Sequence, residues 1–306
     1  MKTFFPWVGG KSKTLKKYEG IFPSKKYNKV IDVFGGAGVM SLYFREMYPE
    51  SKIFLCDYNT ELTDLYSCLK NNYEDFKEEL QFLETEMIGG KSACNAYKTS
   101  PDVFRNGYYN SLRSTYIRFN NRLTVPEKSA MLYLMLKTCN NGYWQPIKGL
   151  NPSLFGTPFA FKPRGFSYSP VDWSLVEEYK RLLSTDIEVV QGDFEETLKE
   201  IGACERTLVY LDPPYEGCGN VYTEDGWSTA DTERLIDWMN KNLETCDVVM
   251  SNMNRKIFHD KLDTRFKIYN IDDVHRSAGN NTGKNCEILA TNIKPFEEEG
   301  RNDKEV

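Results

Sequence analysis

Short apolar runs stopped by polar or glycine-rich turns recur along the chain. Lys29-Val30-Ile31-Asp32-Val33-Phe34 runs into Gly35-Gly36-Ala37-Gly38 and then into an apolar stretch from Val39 to Phe44, which predicts strand, glycine loop and helix. Lys52 to Asp57 predicts a second strand, followed by a helix over about residues 60–71 whose Leu62, Leu65, Tyr66 and Leu69 recur at helical spacing. Ile187 to Phe194, Thr207 to Leu211 and Asp247 to Asn252 predict three more strands, with a helical period over 232–243 between the last two. Phe266 to Asn270 and Glu287 to Asn292 predict a hairpin that closes the sheet. Such alternation of strand and helix predicts an α/β fold. Residues 74–86 are acidic and polar, and the tail over 296–306 predicts disorder.

One strand ends unlike the others. Thr207-Leu208-Val209-Tyr210-Leu211 stops at Asp212-Pro213-Pro214-Tyr215. Two prolines fix φ, and the second restricts the residue before it, so the chain leaves the strand in a stiff extended corner. The Asp212 carboxylate and the Pro213 and Pro214 carbonyls, with the Tyr215 ring beside them, offer acceptors next to a flat π-surface. That set suits a planar heterocycle bearing an exocyclic amino group. Asp-Pro alone is a common turn signal; the whole tetrapeptide after an apolar strand is far rarer.

Other stretches carry cofactor chemistry. Strand, glycine loop and helix bring a nucleotide-like ligand to the positive end of a helix with no Cβ in the way. The spacing is Phe34-x-Gly36-x-Gly38, and the dinucleotide order G-x-G-x-x-G is absent. Asp57 ends the second strand, where an acid can take ribose hydroxyls or, more plainly, cap the following helix. Asp193 closes the third strand. Phe4-Phe5-Pro6-Trp7-Val8-Gly9-Gly10-Lys11-Ser12 offers a stacking face and a cation, but lacks the glycine spacing and the preceding strand of a phosphate loop.

Composition narrows the classes. The eight cysteines include no C-x-x-C pair and the only histidines are His259 and His275, so neither a disulfide framework, a zinc site nor a histidine base is signalled. No metal is expected. No apolar run is long enough to span a bilayer, and a cytoplasmic protein is expected. A formal net charge of −5 argues against polyanions until its distribution is counted. Residues 91–170 hold eleven Lys/Arg against Asp102 and Glu127, interleaved with aromatics, which marks a polyanion-facing insertion. Some of those aromatics must form its core. Residues 129–138 predict an anchoring helix, and Asn140 to Gln145 a turn that opens a reading loop.

Taken together, Trp7-x-Gly9-Gly10-Lys11, the Phe34 glycine loop, Asp57 with Asn59, Tyr108-Tyr109-x-x-Leu112-Arg113, Asn141-Gly142, Asp212-Pro213-Pro214-Tyr215, Ser251-Asn252 and Arg276-Ser277 with Asn281, Gly283 and Lys284 make the chain resemble Dam-like DNA adenine-N6 methyltransferases of the D12 class in the α motif order, across about residues 4–294. The resemblance implies a Rossmann-like methyltransferase sheet of seven strands, one antiparallel, with a mainly helical target-recognition insertion. The catalytic domain would span residues 1–86 and 171–295, and the target-recognition domain 87–170. Trp7, Lys11, Phe34, Gly36, Gly38, Asp57, Asp193 and Asp212 would line the site of the cofactor, S-adenosyl-L-methionine. Asp212, Pro213, Pro214 and Tyr215 would act on the target base. Arg113, Asn141, Tyr143, Gln145, Arg276 and Lys284 would contact double-stranded DNA; no obligatory protein partner is signalled, and the resemblance leaves open whether a cognate restriction nuclease exists. Gln145 stands where GATC-methylating relatives place an arginine, which speaks against GATC because glutamine prefers adenine. His275 replaces a common arginine. N4-cytosine methylation, RNA or protein amide methylation and a catalytically silent DNA-binding protein are the competing readings; the intact corner and basic insertion favour adenine in duplex DNA.

Overall fold

A computed structural model of the 306-residue chain describes residues 2–18, 21–89, 101–140, 142–147, 154–160, 170–215, 226–274 and 285–293. Seven strands, β1 Lys29–Asp32, β2 Lys52–Asp57, β3 Ile187–Gln191, β4 Thr207–Leu211, β5 Asp247–Met253, β6 Lys267–Val274 and β7 Asn285–Thr291, form one sheet in the order β3-β2-β1-β4-β5-β7-β6. The pairs from β3 to β5 are parallel, and β7 runs antiparallel to both β5 and β6. That is the sheet expected from the sequence. Asp32 pairs with Leu55 on one side and Tyr210 on the other, so the glycine loop and the Asp-Pro-Pro-Tyr corner leave adjacent central strands at their C-terminal ends. The strand order reverses there, where doubly wound sheets open a crevice for ligands.

Both faces of the sheet are covered, which is why its central strands read as continuous apolar runs. Ile31, Val209, Leu211, Val248 and Met250 face a core with α7 Phe194–Ile201, α8 Thr229–Asn242 and α9 Lys256–Lys261. Val30, Leu55, Leu208, Tyr210 and Val249 face the opposite core, with α1 Val39–Met47, α2 Thr60–Asn71 and α6 Trp173–Leu183. This second core runs on without a break through α3 Tyr73–Ile88, α4 Pro101–Phe119 and α5 Val125–Thr138. Phe4 is inserted into it as well, stacked on Tyr179 with ring centroids 4.5 Å apart and also 4.5 Å from Tyr133.

The helix at Tyr73–Ile88 replaces what the sequence suggested was only an acidic polar stretch. Its Tyr73, Phe76, Leu80, Leu83 and Met87 are buried at helical spacing, as is Glu84, which accepts the Val171 N–H and the Trp173 indole N–H, while Glu74, Asp75, Glu78 and Glu86 face water. The boundary expected at residue 87 falls in its last turn. Helix α5 begins four residues before the expected Ser129, because Thr124 and Glu127 form a capping box around Pro126 in the first turn. Among the described residues, no helix is long and apolar enough to cross a membrane. The tail over 296–306 lies outside the described residues.

Candidate active site

Asp212 follows β4 directly, and the corner holds Pro213 buried with Asp212, Pro214 and Tyr215 partly exposed. Two short turns near the N-terminus, Lys11–Lys13 and Leu15–Tyr18, cross beneath it. The Lys11 ammonium donates to Asp212 Oδ1 at 2.6 Å, to the Gly9 carbonyl at 3.3 Å and to the Tyr215 hydroxyl at 3.4 Å. Lys11 is 3% exposed against 18% for the Asp212 side chain, so the cation is sealed behind a carboxylate that solvent still reaches. Ser251 of β5 brings its hydroxyl to 3.3 Å from the same Asp212 oxygen. Residues 201 to 204 positions apart in the chain thus converge on one volume, because β4 and β5 are neighbours and the N-terminal segment is pinned by its own aromatic residues.

The glycine loop lies beside this corner. Gly36 has φ +48°, and a Cβ there would meet the Trp7 indole nitrogen at 2.6 Å, so a side chain is excluded by conformation and by space. Gly38, at φ +72°, stands at the N-cap of α1 without a side-chain cap. The Tyr66 hydroxyl reaches up from α2 to donate to the Gly36 carbonyl at 2.6 Å. Asp57 Oδ2 accepts the Gly36 N–H and Oδ1 the Asn59 N–H, each at 2.8 Å. Burial pushes the Asp57 carboxyl up, and the N–H groups of Asn59, Gly36 and Tyr58 oppose that. The cap of α2 is Asn59, whose side chain accepts from Glu61 and Leu62; Asp57 instead ties the glycine loop to the end of β2. Asp193 caps α7 through Glu195 and is paired with Arg234 at 2.8 Å. Next to it, Phe34, Phe194 and Trp227 form a triangle of rings with centroids 5.5 to 5.9 Å apart. Trp227 was not singled out from the sequence.

Tyr109, Tyr116, Trp144 and Phe155 are buried, not in a core of their own but in the one that runs on from the sheet. Arg113 donates to the Gly156 and Thr157 carbonyls at 2.9 and 3.2 Å and so braces the segment around them. The Gln145 backbone bonds to Thr157 and Gly156, while its side chain is exposed. Tyr143 is partly buried, with its carbonyl accepting from Thr157. A Cβ on Gly142, which has φ +68°, would stand 2.3 Å from the Pro6 carbonyl oxygen. The turn at Gly142 is therefore seated on the N-terminal arm, and the Trp7 ring lies 6.1 Å from that of Trp144. Asn141, Arg276 and Lys284 lie outside the described residues, as do His275, Ser277, Asn281 and Gly283.

A sequence model for the D12 class N6 adenine-specific DNA methyltransferases matches residues 7–276. The chain belongs to that family. This D12-class enzyme is also 28% identical over 302 residues to the type II methyltransferase M1.LlaDCHI of Lactococcus lactis subsp. cremoris, with 95% of each chain covered. It is 25% identical over 280 residues to the type II methyltransferase M.MjaIII of Methanocaldococcus jannaschii, covering 88% of this chain and 90% of the relative. The type II methyltransferase M.CviBI of Paramecium bursaria Chlorella virus NC1A is 23% identical over 272 residues, at 87% and 90% coverage. The protein is a site-specific adenine DNA methyltransferase, so the cytosine, RNA, protein and silent-binder readings fall away.

Around the shared site the structure adds acids that the sequence did not single out. Asp32, wholly buried at the end of β1, accepts the Ser41 hydroxyl at 2.7 Å, and burial pushes its carboxyl up to about 7. Glu61, in the first turn of α2, is buried facing Tyr116 and the Phe155 backbone, and burial pushes it up to about 7 too. Glu287 of β7 is buried beside Lys11. Asp32 had a signal, being an acid inside an apolar strand just before the glycine loop. Glu61 and Glu287 had none: one looks like a first-turn helix acid, the other like the polar start of an edge strand.

Proposed function

We propose that the enzyme transfers a methyl group from S-adenosyl-L-methionine to N6 of an adenine turned out of duplex DNA, and that the Asp212 corner performs the step. The residues fit such a cofactor: the loop at Gly36 has no room for a Cβ beside Trp7, the first turn of α1 has no side-chain cap, and an acid ends β2 next to the exposed ring of Tyr58. Trp7, Lys11, Phe34, Gly36, Gly38, Asp57, Asp193 and Asp212 are the residues that would hold it. When bound, it supplies a methyl group on a cationic sulfur.

The amine is the difficulty, because its lone pair is delocalised into the purine ring. With the Asp212 carboxylate and the Pro213 carbonyl each accepting one N–H, the nitrogen is drawn toward sp³ and the lone pair is localised. Methylation makes N6 transiently cationic, and the Asp212 charge stabilises that cation more than the neutral amine, as transition-state stabilisation requires. Deprotonation need not come first; the proton leaves afterwards to Asp212 or water. Pro214 stiffens the corner and Tyr215 stacks on the extruded base, since an amine inside a duplex cannot reach near-attack distance. Arg113, Asn141, Tyr143, Gln145, Arg276 and Lys284 are proposed to hold and read the duplex, with Gln145 preferring an adenine and so a site other than GATC.

The observation that carries this reading is Asp212, reachable by solvent and backed by a buried lysine, at the tip of the strand next to the glycine loop. Asp212→Ala is expected to fold as the parent does and to lose transfer by at least about a thousandfold, the scale of removing a directly acting group. Single-turnover transfer of labelled methyl to plasmid DNA measures it, and sequencing of the methylated product gives base and site. Near-parental transfer by the variant would remove Asp212 from the role.

A further inference from the structure

Glu287 sits on β7, where its strand pairs with β5 next to Ser251. Its side chain is 2% exposed. Three donors from three separate segments meet on its Oε1 oxygen: the Ser251 hydroxyl at 2.7 Å, the Tyr18 hydroxyl at 2.9 Å and the Lys11 ammonium at 3.4 Å. The Lys11 ammonium also donates to Asp212 Oδ1 at 2.6 Å, and the Ser251 oxygen lies 3.3 Å from that same atom. Glu287 therefore lies directly behind the reacting corner, one donor removed from it.

A buried carboxylate needs a reason. Ion pairs taken out of water give little net stability, and apolar residues of the same volume hold a core together as well or better. Two hydroxyls and an ammonium converging on one oxygen hold Glu287 in one orientation, which a packing role does not require. What the arrangement does change is the charge behind Asp212. Lys11 alone beside Asp212 would make a neutral pair, and a neutral pair stabilises a developing cation poorly. With Glu287 present, one ammonium is shared by two carboxylates, and Lys11, Asp212 and Glu287 together carry a single excess negative charge. The other ionisable groups around them are hydroxyls, those of Tyr18 and Tyr215, with Tyr210 and the buried Asp32 behind.

We propose that Glu287 is a positioning residue of the methyl-transfer site: it anchors Lys11 and Ser251 against Asp212 and keeps the cluster one negative charge in excess, ready for the cationic amine. This inference rests on Asp212 acting as the amine's acceptor.

The test is Glu287→Gln, which keeps the shape and removes the charge. The single-turnover rate is expected to fall on the order of tenfold to a hundredfold, the scale of losing one preorganised electrostatic partner. Dissociation constants for duplex DNA and for S-adenosyl-L-methionine stay within about twofold, because binding and catalysis separate when an interaction acts only in the transition state. A merely structural role would instead loosen Lys11, weaken cofactor binding and lower the unfolding midpoint together. Should Glu287→Gln fail to fold, the double variant Tyr18→Phe with Ser251→Ala removes two anchors and leaves the charge; its rate must fall with both affinities retained. An active parent matched in rate by the folded variant overturns this inference alone. A parent that methylates no duplex overturns the reading of the corner and this inference with it.

Discussion

Asp32 shows how a single side chain near the site couples stability to pH. Its Oδ2 takes the Ser41 hydroxyl, and its Oδ1 has no hydrogen-bond partner among the described residues. Burial raises it to about 7; the Ser41 hydrogen bond opposes that, and the nearby charges of Asp212 and Asp57 add to it. The folded protein thus keeps a proton that the unfolded chain gives up near the ordinary carboxyl value of about 4. Between about pH 4 and about pH 7 the folded state binds more protons, so this group's contribution to stability is present below that window and is lost as pH rises through it, by about 1.4 kcal/mol per pH unit. Asp32→Asn removes the slope. Urea midpoints at about pH 5 and about pH 8 should show the variant gaining on the parent by a few kcal/mol at the higher pH. Glu61 titrates in both proteins and cancels in the difference. A variant-to-parent difference that does not move with pH would mean that Asp32 is ionised, or exposed, in the folded protein.

Among the elements, the N-terminal arm is the one that joins the glycine loop to the turn at Gly142. Trp7 packs over Gly36 of the glycine loop, and Pro6 lies under Gly142 of that turn. Gly142→Ala places a methyl group against a carbonyl at a φ that L-residues avoid, so the arm has to shift. The expected result is cofactor binding weakened by about tenfold, the equivalent of about 1.4 kcal/mol, from a substitution far from the glycine loop in sequence. Calorimetric titration with the cofactor checks this, and an affinity equal to the parent's would show that the turn and the glycine loop are not mechanically joined. None of this contact was legible in the sequence, since Pro6 and Gly142 are 136 positions apart (142 − 6) and neither marks its partner. The sheet was legible because strands buried on both faces leave unbroken apolar runs with sharp ends. The helix at Tyr73–Ile88 was missed for the opposite reason: its acids mask an apolar stripe that helical spacing alone would have exposed. Within the site, the residues on glycine loops and strand ends could be read, while Glu287 and Tyr18 could not, because their roles exist only once distant segments meet.

For the whole molecule the decisive quantity is where its charge lies. The chain is acidic overall, yet residues 91–170 carry nine more basic than acidic residues. Folding removes one of these cations from any phosphate contact. Arg105 is buried and lies 3.8 Å from Asp102. Lys148, Lys162 and Arg164 lie outside the described residues, but they follow the turn at Gly142 in sequence and have no acid among the residues between them. Each phosphate contact contributes about 0.9 to the slope of log affinity against log salt concentration. Neutralising all three to glutamine should therefore flatten that slope by about 2.7 and weaken binding to every duplex alike, while leaving the choice of methylated site unchanged. Arg105→Gln should leave the slope alone and lower the unfolding midpoint, because it opens an ion pair inside the insertion. Anisotropy titrations of a labelled duplex over a range of salt concentrations separate the two. If the triple variant kept the parental slope, the charge excess of the insertion would not be what holds the phosphates, and the DNA would have to approach the Asp212 corner across another face.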